Sequence, residues 1–188
     1  MGPISHPTKS DMRAAALARR EAMSVSERSH AAQAMAQRLA GLPLPAGPLA
    51  LYWPIRSEAD PRPAARILAG EARPLCLPAV TQDGLVFRLW APGGALESGP
   101  FGLCEPPENA PAVTPAALIV PLAAFDRRGH RIGYGKGFYD RALARLGPVM
   151  TIGLAFAIQE IPLVPDEAHD RRLDFVVTER ETIDTRTP

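Results

Sequence analysis

The apolar run ALIVP, Ala117 to Pro121, leads through a basic stretch into RIGYGKGFYD, Arg131 to Asp140, and then into a helical segment over roughly 138 to 146. A short apolar run without alternation reads as a strand covered on both faces. A strand, a glycine loop and a helix in that order form the unit of parallel α/β sheets. The same alternation recurs upstream. LALYW, Leu49 to Trp53, is a buried strand, Asp60-Pro61 supplies a cap and first-turn proline for a short helix ending near Gly70, and Leu75 to Leu77 is a further strand. LVFRLW, Leu85 to Trp90, partly alternates and suits an edge or hairpin strand. Val149 to Phe156 and Phe175 to Thr178 complete the set.

Before these strands, Thr8 caps a first helix over roughly 9 to 23, and Ser24 with Glu27 forms a capping box for a second helix reaching Gly41. Ala32, Met35, Ala36 and Leu39 repeat at helical spacing, which gives that second helix a core-facing stripe. The stretch from Ala91 to Pro115 is rich in proline and glycine and reads as an ordered long loop. A chain of 188 residues fits one domain. The expected fold is a single three-layer α/β domain over residues 1–188, with a largely parallel central sheet, helices on both faces and two N-terminal helices.

Composition narrows the class. With 46% hydrophobic and 22% charged residues and no apolar run of membrane-spanning length, a water-soluble protein without a membrane partner is expected. The opening MGPISHPTKSDMR lacks the basic and apolar segments of a secretory signal, so the expected location is the cytoplasm. Cys76 and Cys104 are far apart and read as buried thiols without a disulfide or metal role. A net charge of +1 gives no field for nucleic acid. The local cluster of Arg127, Arg128, His130, Arg131 and Lys136 instead suggests a small anionic ligand.

The glycine loop gives that ligand a form. Glycines at 133, 135 and 137 let the backbone take positive φ and aim successive N–H groups at one anion. The following helix adds its positive end, Lys136 a mobile cation and Arg131 a second one, while Asp140 is placed to hold a magnesium ion against phosphate oxygens. The loop is neither a Walker A motif, since Gly137 follows Lys136, nor G-x-G-x-x-G, since position 138 is Phe.

In context, LIVPLAAFDRRGHRIGYGKGFYDRAL, then TIGLAF, then PDEAHDRRLDFVVTE resemble the 5-formyltetrahydrofolate cyclo-ligase family, as do KSDMRAAALARREAMS, LALYWPIRSEAD and FGLCEPPE. The resemblance implies a small α/β enzyme that uses ATP and magnesium to convert 5-formyltetrahydrofolate into 5,10-methenyltetrahydrofolate, and a monomer is the expected assembly. By the same resemblance Lys9, Arg13, Arg131, Gly133, Tyr134, Gly135, Lys136, Gly137, Phe138 and Tyr139 meet ATP, with Lys136 and Arg131 as the catalytic cations. Trp53, Glu58, Tyr134, Gly135, Lys136, Gly137 and Phe138 meet the folate, and Asp140 and Asp174 hold the metal. Asp170 is the alternative second acid, His169 a neighbour of that site, and Phe101 and Glu105 lie in the loop beside the folate cleft. One departure stands out: the family commonly has Pro-Gly before Ala-Phe-Asp, whereas this chain has Pro121-Leu122-Ala123-Ala124-Phe125-Asp126.

Overall fold

The computed structural model describes residues 7–165 and 170–186. In chain order its helices are α1 (Lys9–Glu21), α2 (Val25–Ala40), α3 (Arg62–Gly70) and α4 (Phe138–Leu146). Its strands are β1 (Leu49–Ala50), β2 (Leu75–Thr81), β3 (Gly84–Leu89), β4 (Glu97–Ser98), β5 (Cys104–Glu105), β6 (Ala117–Pro121), β7 (Ala124–Phe125), β8 (Arg131–Ile132), β9 (Met150–Leu154), β10 (Phe175–Val177) and β11 (Thr182–Asp184). The main sheet has seven strands in the order β11-β10-β9-β6-β1-β2-β3. Its five inner strands run parallel, and β3 and β11 close the two edges antiparallel.

Both capping boxes form. The Thr8 and Ser24 hydroxyls accept from the backbone N–H groups of Asp11 and Glu27, whose carboxylates return the bond. Helix α3 starts where expected, with Asp60 Oδ1 accepting from Arg62 N at 2.9 Å. The parallel strands send alternate residues to opposite faces. Leu49, Ile119, Leu154 and Val177 pack with Met35 and Leu39 of α2 and Leu68 of α3. Ala50, Leu118, Val120 and Val176 pack on the other face with Ala142 and Leu143 of α4. Each fully buried leucine contributes about 1.5–3 kcal/mol, so both faces hold a substantial core. The three-layer α/β arrangement is the one the alternating pattern predicts.

Several details differ from the expectation. Only Leu49 and Ala50 of LALYW pair as a strand; Leu51 N still donates to Cys76 O at 2.9 Å, and the chain then departs, which moves Tyr52, Trp53 and Glu58 to the carboxyl edge of the sheet. The segment between β6 and α4 is not a plain loop but contains the β7–β8 hairpin, whose turn is held by buried Asp126 accepting from the N–H groups of Arg128 and His130. The long loop over 91–115 carries the small β4–β5 pair, and β11 adds an unexpected edge. Cys76 is buried, with its thiol pushed up to about 12 by burial, but Cys104 is only half-buried, since it lies in that outer pair. No helix among the described residues is long and apolar enough to cross a membrane.

Helix α1 belongs to neither face. Its fully buried Ala16 packs with Ala124 and Ile132 of the hairpin and with Val164, and it also meets the 3-10 turn Ala157–Gln159 that follows β9. It therefore lies across the carboxyl ends of β6 and β9. Beneath it, Gln159 donates to the carbonyls of Leu122 and Ala123 at 2.9 Å, pinning the corner after β6. Leu122 folds its side chain over Gly153 of β9.

A Cβ built on Gly153 would come 2.6 Å from Leu173 Cδ1 and 2.8 Å from Leu122 Cδ2, both on buried side chains. Gly153→Val should therefore overpack the centre of the sheet and destabilise the fold by about 1–3 kcal/mol. Chemical denaturation measures this; an unchanged midpoint would contradict the packing described.

Candidate active site

In parallel α/β sheets, ligands bind beyond the carboxyl ends of the strands. Here three segments meet there: the stretch after β1, the glycine loop after the β7–β8 hairpin, and one face of α1. Gly135 and Gly137 have φ of +85° and +64°, values that side chains other than glycine adopt at a cost. Among the described residues no side chain caps the start of α4 at Gly137, so the positive end of that helix faces the loop.

Helix α1 grips this loop. Arg13 Nε donates to Gly133 O at 2.7 Å, and its guanidinium lies within 4 Å of where a Cβ on Gly135 would sit. Lys9, one turn earlier, pairs with Asp170 at 3.0 Å. Lys136 is exposed at the loop's tip, and Phe138 lies under the Arg141 guanidinium at 5.2 Å. Arg131, whose side chain is almost fully buried, pairs with Asp140 and donates to Arg171 O at 2.7 Å. Asp140 itself is largely exposed on the first turn of α4.

The two candidate second acids are in different places. Asp170, the partner of Lys9, also acts on Arg131 electrostatically, as Asp140 does. Asp174 precedes β10, at the amino ends of the parallel strands, where its Oδ2 accepts from Thr151 N at 2.7 Å and Thr151 Oγ1 at 2.9 Å. His169 and the side chain of Phe101 lie outside the described residues. Arg127 and Arg128 do not join the loop: Arg127 pairs with Glu160 and Glu181, and Arg128 with Asp126, so the basic run divides between hairpin supports and site.

On the other side of the loop sits a buried acid. Glu58 accepts from Ile55 N at 2.9 Å, and burial pushes its carboxyl above the usual range. Tyr134 bonds to it, and all three tyrosines of the chain, Tyr52, Tyr134 and Tyr139, feel its charge. Tyr139 is pushed strongly upward, first by burial. Beside this cluster Trp53 meets Trp90 edge to face, with ring centres 6.0 Å apart. Arg62, held by Asp60, stacks 4.9 Å from the Trp53 ring. Glu105 lies further out, where it accepts from Val80 N at 3.1 Å and fills the space over Gly99.

The sequence reading missed one member of this arrangement, Arg20. It is 3% exposed, donates from Nε to Ser57 Oγ at 3.0 Å and from Nη1 to the Tyr134 hydroxyl. Within the run Arg19-Arg20-Glu21 it resembles a solvated helix end. The available signal was spacing: Lys9, Arg13, Ala16 and Arg20 fall on one helix face.

Burial gives Glu58 a pH signature. A carboxyl raised in the folded state binds its proton more tightly there, so its contribution is lost as pH rises from the unfolded value through the folded one. Glu58→Gln should thus melt at or above the parent temperature at pH 8, with that relative advantage shrinking towards pH 4. Thermal scans at the two pH values check it; a variant penalised more at pH 8 than at pH 4 would contradict the assignment.

The chain matches the model of the 5-formyltetrahydrofolate cyclo-ligase family over residues 5–179. It is 30% identical over 190 residues to a Mycolicibacterium smegmatis protein named 5-formyltetrahydrofolate cyclo-ligase, covering 96% of this chain and 98% of that one. An Escherichia coli K12 protein of the same name is 30% identical over 171 residues, covering 85% of this chain and 94% of the relative. Among solved structures, the Aquifex aeolicus 5,10-methenyltetrahydrofolate synthetase superposes with a TM-score of 0.84 at 31% identity, covering 96% of this chain and 94% of that chain. With the loop, the α1 cations and the buried acid in one place, the match spans fold and site together, and the chain belongs to the 5-formyltetrahydrofolate cyclo-ligase family.

Proposed function

We propose that this chain converts 5-formyltetrahydrofolate into 5,10-methenyltetrahydrofolate in an ATP- and magnesium-dependent reaction that releases ADP and phosphate. The observation that carries this reading is that one glycine loop is bound by Arg13 of α1 at Gly133 and reaches the buried Glu58 through Tyr134. The formyl oxygen attacks the γ-phosphoryl group and ADP departs. N10 of the folate then attacks the activated formyl carbon, and the C–O bond breaks with loss of phosphate. An amide-like oxygen is a poor leaving group until it carries a phosphoryl group, which is why ATP is consumed.

The protein's part is positioning and charge stabilisation. The backbone of Gly133, Gly135 and Gly137 cradles the phosphates with the start of α4, Arg13 fixes the cradle, and Lys9 and Lys136 bring positive charge to it. Arg131 acts from below, orienting Asp140. Glu58 accepts hydrogen bonds from the pterin's amino and ring N–H groups, Trp53 supplies an apolar platform, and Tyr134, Phe138 and Tyr139 separate the two ligands from water. We read the enzyme as a single-domain cytoplasmic monomer acting on small molecules.

Magnesium fits the donors available. No group of three or more acids, histidines or cysteines gathers among the described residues, and magnesium is commonly held by one or two carboxylates with phosphate and water completing its shell. Asp140 would hold it with Asp170, whose charge also acts on Arg131, rather than with Asp174, which is bound to Thr151 at the amino ends of the strands. When bound, the ion neutralises charge on the phosphate oxygens.

The test is formation of the methenyl product, followed by absorbance with purified folded protein, ATP and magnesium. Asp140→Asn should lower turnover by about 10²-fold, comparable to loss of one fixed charge-stabilising group, while thermal stability changes little. ATP binding without product would favour a binding module that has lost turnover, and equal losses of activity and stability in Asp140→Asn would make Asp140 structural.

A further inference from the structure

Arg20 has no part in the reaction as described, yet its environment is built around it. A guanidinium removed from water is costly unless its donors are satisfied. Its fork reaches two different segments, Ser57 in the stretch after β1 and Tyr134 in the glycine loop, and its carbon lies 5.7 Å from the Tyr134 ring centre. Ser57 immediately precedes Glu58. The Tyr134 hydroxyl, fixed from one side by Arg20, faces the Glu58 carboxylate and the Leu122 carbonyl at 3.5 Å. One α1 side chain thus touches both segments that flank the buried acid.

We propose that Arg20 is a positioning residue for the folate site: it locks Ser57 and Tyr134 into one frame and supplies the buried positive charge against which Glu58 presents a carboxylate to the N–H donors of the pterin ring. This rests on the proposed folate role of Glu58. The groups facing Glu58 are Arg20 from α1, Tyr52 from the end of β1, Tyr134 from the loop and Tyr139 from α4, with Asp60 acting on Tyr52. Of these Arg20 alone is cationic, and its charge opposes the upward push of burial on Glu58. Loss of that charge moves the Glu58 titration up, so the ionised form is lost at a higher pH.

Arg20→Met keeps the length of the side chain and removes its charge and donors. In the ligand-free variant, the Glu58 carboxyl titration followed by carbon NMR should move up, as expected on losing a nearby opposite charge. With substrate, KM for 5-formyltetrahydrofolate should rise about tenfold while KM for ATP stays within about twofold, the pattern of a lost ground-state folate contact. The folate KM should also climb at higher pH as the solution is acidified than it does in the parent protein. If Arg20→Met does not fold, Arg20→Lys retains the charge and should leave the titration near its parent position while still raising the folate KM through loss of the fork. An unmoved Glu58 titration in Arg20→Met, or equal rises in both KM values, would overturn the proposal. If the parent protein turns over no folate, the proposed function fails, whereas the titration in the free protein still decides what Arg20 does to Glu58.

Discussion

The docking of α1 across the carboxyl ends of β6 and β9 is the constraint from which the site follows. The sheet alone delivers the stretch after β1 and the glycine loop to one edge, but nothing in the parallel register fixes their distance from each other. Ala16, with no exposed surface, lets the helix approach the β7–β8 hairpin closely. That approach places Arg13 on the loop backbone and Arg20 beneath Tyr134. A helix lying across the sheet's end rather than on a face thus ties two separate loops into one site.

The site is electrically divided. On the α4 side, Asp140 and Asp170 both act on Arg131, and Lys9 is bound to Asp170, an arrangement of alternating charges suited to exchanging partners when a polyanion and its cation arrive. On the β1 side, the charge of a buried carboxyl acts on three phenols, and one guanidinium acts on it in turn. The glycine loop separates the two and contributes to both, since Tyr134 points towards the acid while Lys136 remains at the exposed tip. Such a partition suits a reaction in which a phosphoryl group must meet an oxygen on a heterocycle at short range.

Much of this was legible in the sequence where local chemistry decides the structure. Thr8 with Asp11 and Ser24 with Glu27 cap helices by hydrogen bonds that need no tertiary context, and α4 begins at Phe138 because Gly137 can adopt positive φ. The β7–β8 hairpin was not legible, because two-residue strands show no alternation and its turn depends on buried Asp126 reaching Val164 N, 38 residues away. The division of the basic run between structure and site was hidden for the same reason: Glu160 and Glu181, the partners of Arg127, lie far along the chain. Arg20 was missed because a charged residue at a helix end is usually solvated, and only its register with Ala16 distinguishes it. Glu58 and Trp53 entered through family resemblance; the fold explains them by ending β1 after Ala50.

The central claim, that the loop from Gly133 to Gly137 is the phosphate cradle, is tested most directly by backbone amide NMR with a non-hydrolysable ATP analogue and magnesium. The account predicts that the largest shifts fall on Gly133, Gly135, Gly137 and the first turn of α4, with the Arg13 side-chain signals moving alongside them. Tight binding of the analogue that leaves those amides unmoved and perturbs another part of the molecule would contradict it.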